Sequence, residues 1–280
     1  MSLAVNNLLT LSSHDRICTA FGIKIVTGSE IVHIAKSAGY DSLFIDLEHT
    51  TLSLRDAGQQ CITAISAGIT PFVRVPHQCG DGFIQRVLDM GAMGVIIPHI
   101  HTVDDARRAI RISKYPPMGK RSITGGLPQY QMTPVPASKV QKEVNESGST
   151  VFIMIETVDA LDNVDAIAAL PGCDVLLIGC NDLAMEIGCA GDWDAPKFRN
   201  ALRKVGVTCR KHRKIFGIAG VYTRPDLMDV VISEYGARWI VGAQDVTLLV
   251  SGSKANVDIL QSMQRSEQLV VNGKNGILES

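Results

Sequence analysis

Short, almost continuous apolar runs recur eight times along this 280-residue chain, with amphipathic stretches between them. The runs are rich in β-branched residues, as parallel strands are when both of their faces are covered. The expected strands are Phe21–Val26, Ser42–Asp46, Thr70–Val75, Gly94–Pro98, Val151–Glu156, Val175–Gly179, Ile215–Val221 and Arg238–Ala243. The regular alternation predicts βα units around a parallel sheet.

The stretches between the strands carry apolar residues at three- and four-residue spacing, which is typical of helices that pack against a sheet. The expected helices are Ser29–Ser37, Leu52–Ala67, Gly82–Met90, Val103–Ser113, Asp159–Ala169, Pro196–His212, Pro225–Tyr235 and Val246–Gln264. Eight βα units in a chain of this length predict a closed (β/α)8 TIM barrel. An open doubly wound sheet would usually have fewer strands and a Gly-rich phosphate turn, and neither common phosphate motif occurs in the sequence.

We expect one barrel domain over residues 1–265, including the C-terminal helix 246–264, and a polar, flexible tail at 266–280. The segment 115–149 interrupts the βα rhythm, and its Pro and Gly content predicts a long loop with a short helix near 138–145. Loops of this length in compact domains are often functional.

The composition narrows the classes of partner and the compartment. Lys and Arg number 27 against 28 Asp and Glu, so the chain has no basic field to hold nucleic acid or anionic lipid. No apolar stretch approaches the roughly 20 residues that span a bilayer. The first residues do not resemble a secretory leader, and the seven cysteines contain no C-x-x-C pair. We therefore expect a cytoplasmic protein with reduced, mostly buried thiols.

Polar and titratable residues stand at the ends of most expected strands, which is where (β/α)8 barrels carry their active sites. They include Asp46, Glu48 and His49 after the second strand, Arg74 in the third, His99 after the fourth, Glu156 at the end of the fifth, and Gly179, Cys180, Asn181 and Asp182 at the sixth. This arrangement predicts a site at one end of the barrel.

Glu156 and Asp182 end neighbouring strands, so the two carboxylates could share one divalent cation. Ligation by oxygen alone favours Mg²⁺ or Mn²⁺, with Co²⁺ as a further option, and leaves other positions to water and substrate. The alternative is that Glu156 forms an ion pair in the barrel and Asp182 caps the following helix. The turn at 179–182 also offers backbone N–H groups that suit a small anion. No nucleotide, flavin or pyridoxal phosphate is expected.

His49 could act as a general base that is oriented by Asp46, or it could be an ordinary loop histidine. Arg74 lies in an apolar strand, where an unpaired guanidinium is costly. It either pairs with a carboxylate of the barrel or binds a substrate oxygen. Lys24 raises the question of a Schiff base, and Cys180 that of a nucleophile, but no neighbouring feature supports either chemistry.

Several longer stretches resemble the class II, metal-dependent pyruvate aldolases, which include 4-hydroxy-2-oxoheptanedioate and 2-dehydro-3-deoxyglucarate aldolases and the fungal macrophomate synthase. The stretches are GYDSLFIDLEHT, IQRVLDMGAMGVIIPHI, YPPMGKRS, IMIETVDALDNVDAIAALPGCDVLLIGCNDLAMEIG and GARWIVGAQDVTLL. The resemblance extends over roughly residues 21–263.

The resemblance implies that Glu156 and Asp182 hold the metal and that the backbone of Asn181 and Asp182 holds the substrate carboxylate. It also implies that Arg74 contacts the 2-oxo group, and that His49 with Asp46 handles the proton. Asp89 matches an acidic residue that family members send into a neighbouring subunit, although it could be an ordinary carboxylate at a helix end. A homohexamer, built as a trimer of dimers with an exchanged C-terminal helix, is implied as well.

The chain departs from the family pattern at Met154, Cys180 and His99, and His99 replaces an apolar residue of bacterial members. These changes leave the metal pair intact but bear on the second half of the substrate pocket, where we expect His99 to bind substrate. Tyr130, in the long loop, either contacts a larger acceptor or packs in the core.

The expected activity is the reversible aldol cleavage of a 4-hydroxy-2-oxo acid to pyruvate and an aldehyde through a metal-bound enolpyruvate. Decarboxylation of oxaloacetate, or a reaction like that of macrophomate synthase, would use the same enolate and is the alternative. A non-catalytic barrel that binds a metabolite is a third hypothesis.

Overall fold

The computed structural model describes residues 2–275, and eight parallel strands form a closed barrel in which each strand pairs with its neighbours in chain order. The strands are β1 (Cys18–Ile23), β2 (Ser42–Asp46), β3 (Thr70–Arg74), β4 (Gly94–Ile97), β5 (Thr150–Ile155), β6 (Val175–Gly179), β7 (Ile215–Ala219) and β8 (Ala237–Gln244). The barrel closes through pairing of β1 with β8. The (β/α)8 barrel predicted from the sequence is confirmed.

Helices follow the strands as the sequence indicated. They are α1 (Asn7–Ser13), α2 (Glu30–Ser37), α3 (Leu54–Ala67), α4 (Asp81–Asp89), α5 (Val103–Ser113), α6 (Ala137–Glu143), α7 (Val158–Asp162), α8 (Val164–Ala168), α9 (Cys180–Glu186), α10 (Pro196–His212), α11 (Pro225–Ser233) and α12 (Asp245–Asn275). No helix within residues 2–275 is long and apolar enough to cross a bilayer.

The two-residue period of the strands separates two apolar layers. One layer lies between the strands and the surrounding helices, and the other fills the barrel with Phe44, Phe72, Phe152 and Trp239. The rings of Phe152 and Trp239 are 4.7 Å apart. Leu8 of α1 belongs to the inner layer and covers its amino-terminal end, so the barrel is a packed core rather than a pore.

The same period explains why charged residues reach the barrel mouth. Asp46 lies two residues after Phe44 on β2, and Arg74 lies two residues after Phe72 on β3. Each pair therefore points to the same, inner side of its strand. The aromatic layer forms the floor, and the charged residues form the next layer towards the carboxyl ends.

The first strand differs from the expectation for Phe21–Val26, since β1 ends at Ile23. The backbone N–H groups of Lys24, Ile25 and Val26 donate to the carboxylate of Asp245 at 2.9–3.0 Å instead of continuing a ladder. The apolar run therefore bends away from the sheet at Lys24, which lies in a loop held by the start of α12.

Two helices also differ from the expectation. The helix expected at 159–169 is divided into α7 and α8 at Asn163. The C-terminal helix, expected at 246–264, extends to Asn275 and so includes much of the segment expected to be a tail. No proline interrupts that segment, so its backbone can continue the helix. Residues 276–280 lie outside the described part of the chain.

Candidate active site

The carboxylate of Asp46 and the guanidinium of Arg74 form a buried pair at the mouth of the barrel. The two residues are directly opposite in the β2–β3 register. Arg74 donates from Nε and Nη2 to the two oxygens of Asp46, at 2.9 and 2.7 Å. The structural alternative for Arg74, a partner within the barrel, is therefore present.

Each residue of this pair stabilises the charged form of the other. Burial alone would raise the pKa of Asp46, but the hydrogen bonds and charge of Arg74, with the N–H groups of Glu48 and His49, lower it. Burial acts on Arg74 in the opposite direction, and Asp46 outweighs it and raises the pKa of the guanidinium. Both groups are therefore held in their charged forms, and Nη1 of Arg74 remains for a further partner.

Glu48 lies beside Nη1, although its sequence position indicated only that it follows a strand. Its Oε2 is 3.2 Å from Nη1 of Arg74, close enough for an ion pair but without hydrogen-bond geometry. Its Oε1 is 3.3 Å from Nε2 of His99. The available signal was its spacing, because a residue two positions after Asp46 tends to point to the same side of an extended chain.

Glu156 is 1% exposed and lies at the carboxyl end of β5. Its Oε1 accepts a hydrogen bond of 2.7 Å from the backbone N–H of His99, whereas Oε2 has no partner among the described residues. Burial raises the pKa of Glu156, opposed by the N–H and ring of His99, and the charge of Asp182 raises it further. An unpaired, buried carboxylate oxygen of this kind suits a cation.

Gly179 makes room for this carboxylate. A Cβ atom at position 179 would lie 2.4 Å from Oε2 of Glu156 and 3.0 Å from Cε of Met154. The spacing along β6 puts Gly179 on the inner side of the strand, beside the orphaned oxygen. A glycine is therefore required here by close approach.

Asp182 lies in the first turn of α9, and its half-exposed carboxylate is close enough to act on the pKa of Glu156. The helix begins after Gly179 and has no side-chain cap, so Asp182 does not cap it as the alternative reading suggested. The N–H groups of Asn181 and Asp182 belong to the same first turn, where acceptors within a helix are missing.

The donor set fits a divalent cation with an open coordination sphere. Among the described residues no group of three His, Cys, Asp or Glu side chains could hold a metal. That Glu156 and Asp182 share a cation, with the remaining positions left to water and substrate, stays a prediction of the sequence.

The two histidines at the mouth are held differently. His99 has a left-handed backbone with φ of 50°, which directs its N–H to Glu156. The side chain of His49 is 55% exposed, and its Nε2 lies 3.8 Å from Glu48. Asp46 accepts from the backbone N–H of His49, at 3.4 Å, while its carboxylate is bound to Arg74. The sequence suggested that Asp46 orients the ring of His49. In the structure Asp46 contacts the backbone of His49 instead.

Asp89 lies outside this cluster, at the last residue of α4. Its Oδ1 accepts a hydrogen bond of 2.7 Å from Arg121, which belongs to the loop that follows α5. The guanidinium of Arg121 lies over the ring of Tyr115 at 4.7 Å. The motif around YPPMGKR therefore fixes the carboxylate of Asp89 rather than covering the barrel mouth.

Tyr130 packs in the core, which is the second of the two possibilities that its sequence position left open, and the expected contact with an acceptor is not seen. It is 1% exposed, and its hydroxyl donates to Glu143 at 2.8 Å. It packs with Leu127, Val140 and Leu3, beside the N-terminal segment that covers the opposite end of the barrel. Its neighbours are therefore those of a packing residue, and none of the residues at the barrel mouth is among them.

Lys24 and Cys180 take no visible part in the cluster. The backbone of Lys24 is fixed by Asp245 and Thr50. Burial raises the pKa of the Cys180 thiol, which opposes formation of a nucleophilic thiolate. All seven cysteines are unpaired, and six of them are buried.

Most of the chain matches one known protein family. The profile of the HpcH/HpaI aldolase/citrate lyase family matches residues 27–251. The 4-hydroxy-4-methyl-2-oxoglutarate aldolase tasA of Hapsidospora irregularis is 44% identical over 92% of this chain and 96% of its own length. The corresponding aldolase cghB of Chaetomium globosum is 40% identical over 94% and 98%.

Two solved structures are similar to this chain in fold. A HpcH/HpaI aldolase from Desulfitobacterium hafniense superposes with a TM-score of 0.82 at 25% identity, covering 93% of this chain and 97% of that one. Macrophomate synthase superposes with a TM-score of 0.73 at 23% identity, covering 92% and 89%, which is a similarity of fold.

Proposed function

Because the chain belongs to the HpcH/HpaI aldolase/citrate lyase family, we propose that it cleaves a 4-hydroxy-2-oxo acid to pyruvate and a second carbonyl compound. Family membership makes the chain an enzyme of the lyase class and confirms the resemblance to pyruvate aldolases. The observation that carries the proposal is the buried, unpaired carboxylate oxygen of Glu156, close to Asp182 and within the field of Arg74.

Glu156 and Asp182 are proposed to hold a divalent cation, Mg²⁺ or Mn²⁺, with Co²⁺ as a possible substitute. When bound, the cation supplies positive charge to the oxygens of the 2-oxo acid and to the enolate that forms on cleavage. The N–H groups of Asn181 and Asp182 are proposed to bind the substrate carboxylate, with Gly179 leaving the space that this requires.

Arg74 is proposed to stabilise the 2-oxo group as it gains negative charge. Asp46 fixes the plane of the guanidinium through two hydrogen bonds, so the arginine needs no reorganisation during the reaction. Nη1 forms an ion pair with Glu48 but no hydrogen bond, so its N–H groups are proposed as the donors to the substrate.

His49 is proposed to remove the proton from the 4-hydroxyl group, since its ring is half exposed at the mouth. The C3–C4 bond then breaks, the C4 oxygen becomes a carbonyl, and the electron pair of the bond forms the enolate of pyruvate. Protonation of C3 completes the release of pyruvate. His99 is proposed to border the substrate, because its backbone holds Glu156 and its ring lies beside Glu48.

The substrate that we propose is 4-hydroxy-4-methyl-2-oxoglutarate, which would yield two molecules of pyruvate. The support is the name borne by two relatives that are 44% and 40% identical over nearly the whole chain. Both halves of this substrate carry a carboxylate, and the N–H groups of Asn181 and Asp182 are proposed to receive one of them.

Decarboxylation of oxaloacetate is the second candidate activity. There the C3–C4 bond breaks with loss of carbon dioxide, and the electron pair forms the same enolate. This reaction needs no base for a hydroxyl group, and the exposed position of His49 makes the two activities separable.

A homo-oligomer is also proposed. Helix α12 exposes Leu248, Leu249, Val250, Val257, Ile259, Leu260 and Met263, each at 43–63%. This many exposed apolar side chains along one helix form a surface that is unusual on a monomer. A hexamer built as a trimer of dimers, with α12 exchanged between subunits and Asp89 directed to a neighbouring site, would cover it.

The test is pyruvate release from 4-hydroxy-4-methyl-2-oxoglutarate, from shorter and longer 4-hydroxy-2-oxo acids, and from oxaloacetate, with and without a chelator. We expect His49→Ala to abolish aldol cleavage and to leave decarboxylation largely intact. Equal loss of both activities would remove the role assigned to His49. Absence of pyruvate from every substrate in the presence of Mg²⁺, Mn²⁺ or Co²⁺ would remove the proposed function.

A further inference from the structure

A cavity of about 500 Å³ lies outside the strands, between the carboxyl ends of β3 and β4 and the helices α4 and α5. We call it the α4–α5 cavity. Its floor contains Val75, Ile84, Ile97 and Ile112, and its rim contains His77 and Arg108. The volume is within the range of about 300–1,000 Å³ that small-molecule sites occupy. None of the roles assigned above uses it.

His99 separates this cavity from the acidic cluster at the barrel mouth. The backbone N–H of His99 binds Glu156 at 2.7 Å, and its Nε2 is 3.3 Å from Glu48. The same residue lines the cavity, where its ring packs edge-on against His77 with 4.8 Å between centroids. The cavity therefore starts at the wall of the proposed active site.

The floor of the cavity is apolar because it belongs to the layer between strands and helices. Val75 and Ile97 follow inward-pointing positions on their strands and so face the helices. Both belong to the outer apolar core, together with Ile84 and Ala109. A ligand that enters here exchanges water for aliphatic surface, which is favourable by about 25 cal/mol per Å² of apolar area.

The rim of the cavity carries two carboxylates and one guanidinium. Arg108 donates to Asp81 at 2.9 Å. Asp105 accepts from Thr102 and from the backbone N–H of His101. His77 is the exposed rim group whose ring nitrogens have no hydrogen-bond partner among the described residues. Asp105 thus has no Lys or Arg partner among the described residues, and the negative charge that it leaves at the rim disfavours an anionic ligand relative to a neutral one.

We propose that the α4–α5 cavity lets the enzyme use further second carbonyl compounds besides pyruvate, and that it receives their carbon chain when this chain is neutral, apolar and longer than that of pyruvate. This inference rests on the proposed function. In the synthetic direction, C3 of the pyruvate enolate bonds to the carbonyl carbon of the aldehyde, whose oxygen takes a proton and becomes the 4-hydroxyl group. The chain of the aldehyde passes His99 and lies on the aliphatic floor.

The test compares acetaldehyde, hexanal and 6-oxohexanoate as acceptors for pyruvate, with KM and kcat measured for each. The wild-type enzyme is expected to have a KM for hexanal about tenfold below that for acetaldehyde and also below that for the charged analogue of equal length. Ala109→Phe, which places a ring in the cavity, is expected to raise the KM for hexanal about tenfold and to leave acetaldehyde within about twofold.

His77→Trp is the second variant, because it enlarges an exposed rim residue without disturbing the core. Like Ala109→Phe, this variant is expected to reduce the preference for hexanal over acetaldehyde. An equal effect of either variant on both aldehydes, or a wild-type enzyme without preference for the longer neutral chain, would overturn the inference.

Cleavage of 4-hydroxy-4-methyl-2-oxoglutarate by the wild-type enzyme distinguishes failure of the cavity assignment from failure of the proposed function. Normal cleavage without any chain-length preference would overturn the cavity assignment alone. Loss of cleavage and of all additions would overturn the proposed function, and the assignment with it.

Discussion

Arg74 and Asp46 are joined by two hydrogen bonds of 2.9 and 2.7 Å across adjacent strands, with both residues buried. The ring of Phe44 lies 5.3 Å from the guanidinium, and Oε2 of Glu48 lies 3.2 Å from its Nη1. The pair therefore converts a flexible side chain into a fixed donor.

Arg74→Lys should retain the positive charge and lose the bidentate contact, since an ammonium cannot match the two oxygens of a carboxylate in one plane. We expect kcat for pyruvate release to fall by about 10²–10³-fold, the usual cost of removing one fixed donor to a developing oxyanion. Steady-state kinetics with 4-hydroxy-4-methyl-2-oxoglutarate would measure it. Unchanged kcat would show that Arg74 acts only as a structural partner of Asp46.

Asp46 makes the stability of the fold depend on pH in a defined direction. Its folded-state pKa lies below the unfolded value of about 3.9. The stability that it contributes is therefore present above that value and is lost as the pH falls through the lowered pKa. In urea unfolding between about pH 5 and 2, we expect the free energy of unfolding of Asp46→Asn to fall less steeply with decreasing pH than that of the wild type. Asp104→Asn, at an exposed carboxylate, is the control for removal of one charge.

Gly179→Ala tests the close approach to Glu156. The added methyl group would lie 2.4 Å from Oε2, so the carboxylate must move. We expect a loss of about 1–3 kcal/mol in the free energy of unfolding and a larger relative loss of activity. Gly125→Ala, with nothing within 4 Å of the new methyl group, should change neither. Normal activity of Gly179→Ala would contradict the geometry described for this pair.

Glu156→Gln should weaken metal binding without unfolding the barrel, because the amide keeps the size of the carboxyl group and can still accept from His99. Loss of an outer-shell partner already costs about 10–100-fold in metal affinity. We expect at least that for a ligand, measured by titration of the chelator-treated protein with Mn²⁺ alone. Asp182→Asn should act in the same direction, and wild-type affinity in both variants would refute the assigned ligand pair.

Tyr130→Phe should be nearly silent in catalysis. It removes the hydrogen bond to Glu143, which we expect to cost about 0.5–1.5 kcal/mol in the free energy of unfolding. The kinetic constants for every acceptor should equal those of the wild type, because the residue packs near the amino-terminal end of the barrel. A selective change in KM for large acceptors would reinstate the substrate contact suggested by the sequence.

The sequence by itself determined the barrel, because the apolar runs of Ser42–Asp46 and Val175–Gly179 are local patterns that fix strand identity and the side of the sheet each residue faces. The same period predicted that Arg74 and Glu156 would stand at strand ends. Family motifs added the expected chemistry, and the match over residues 27–251 confirmed the family.

Only the tertiary structure decided which atoms meet. The backbone N–H of His99 binds Glu156 across 57 positions of sequence, and Glu48 lies between Arg74 and His99. The tertiary structure also places Tyr130 outside the site, because its loop packs beside the N-terminal segment at the other end of the barrel. The physical reason is that strand periodicity is a property of adjacent residues, whereas contacts between loops depend on barrel closure and on backbone torsions such as the positive φ of His99.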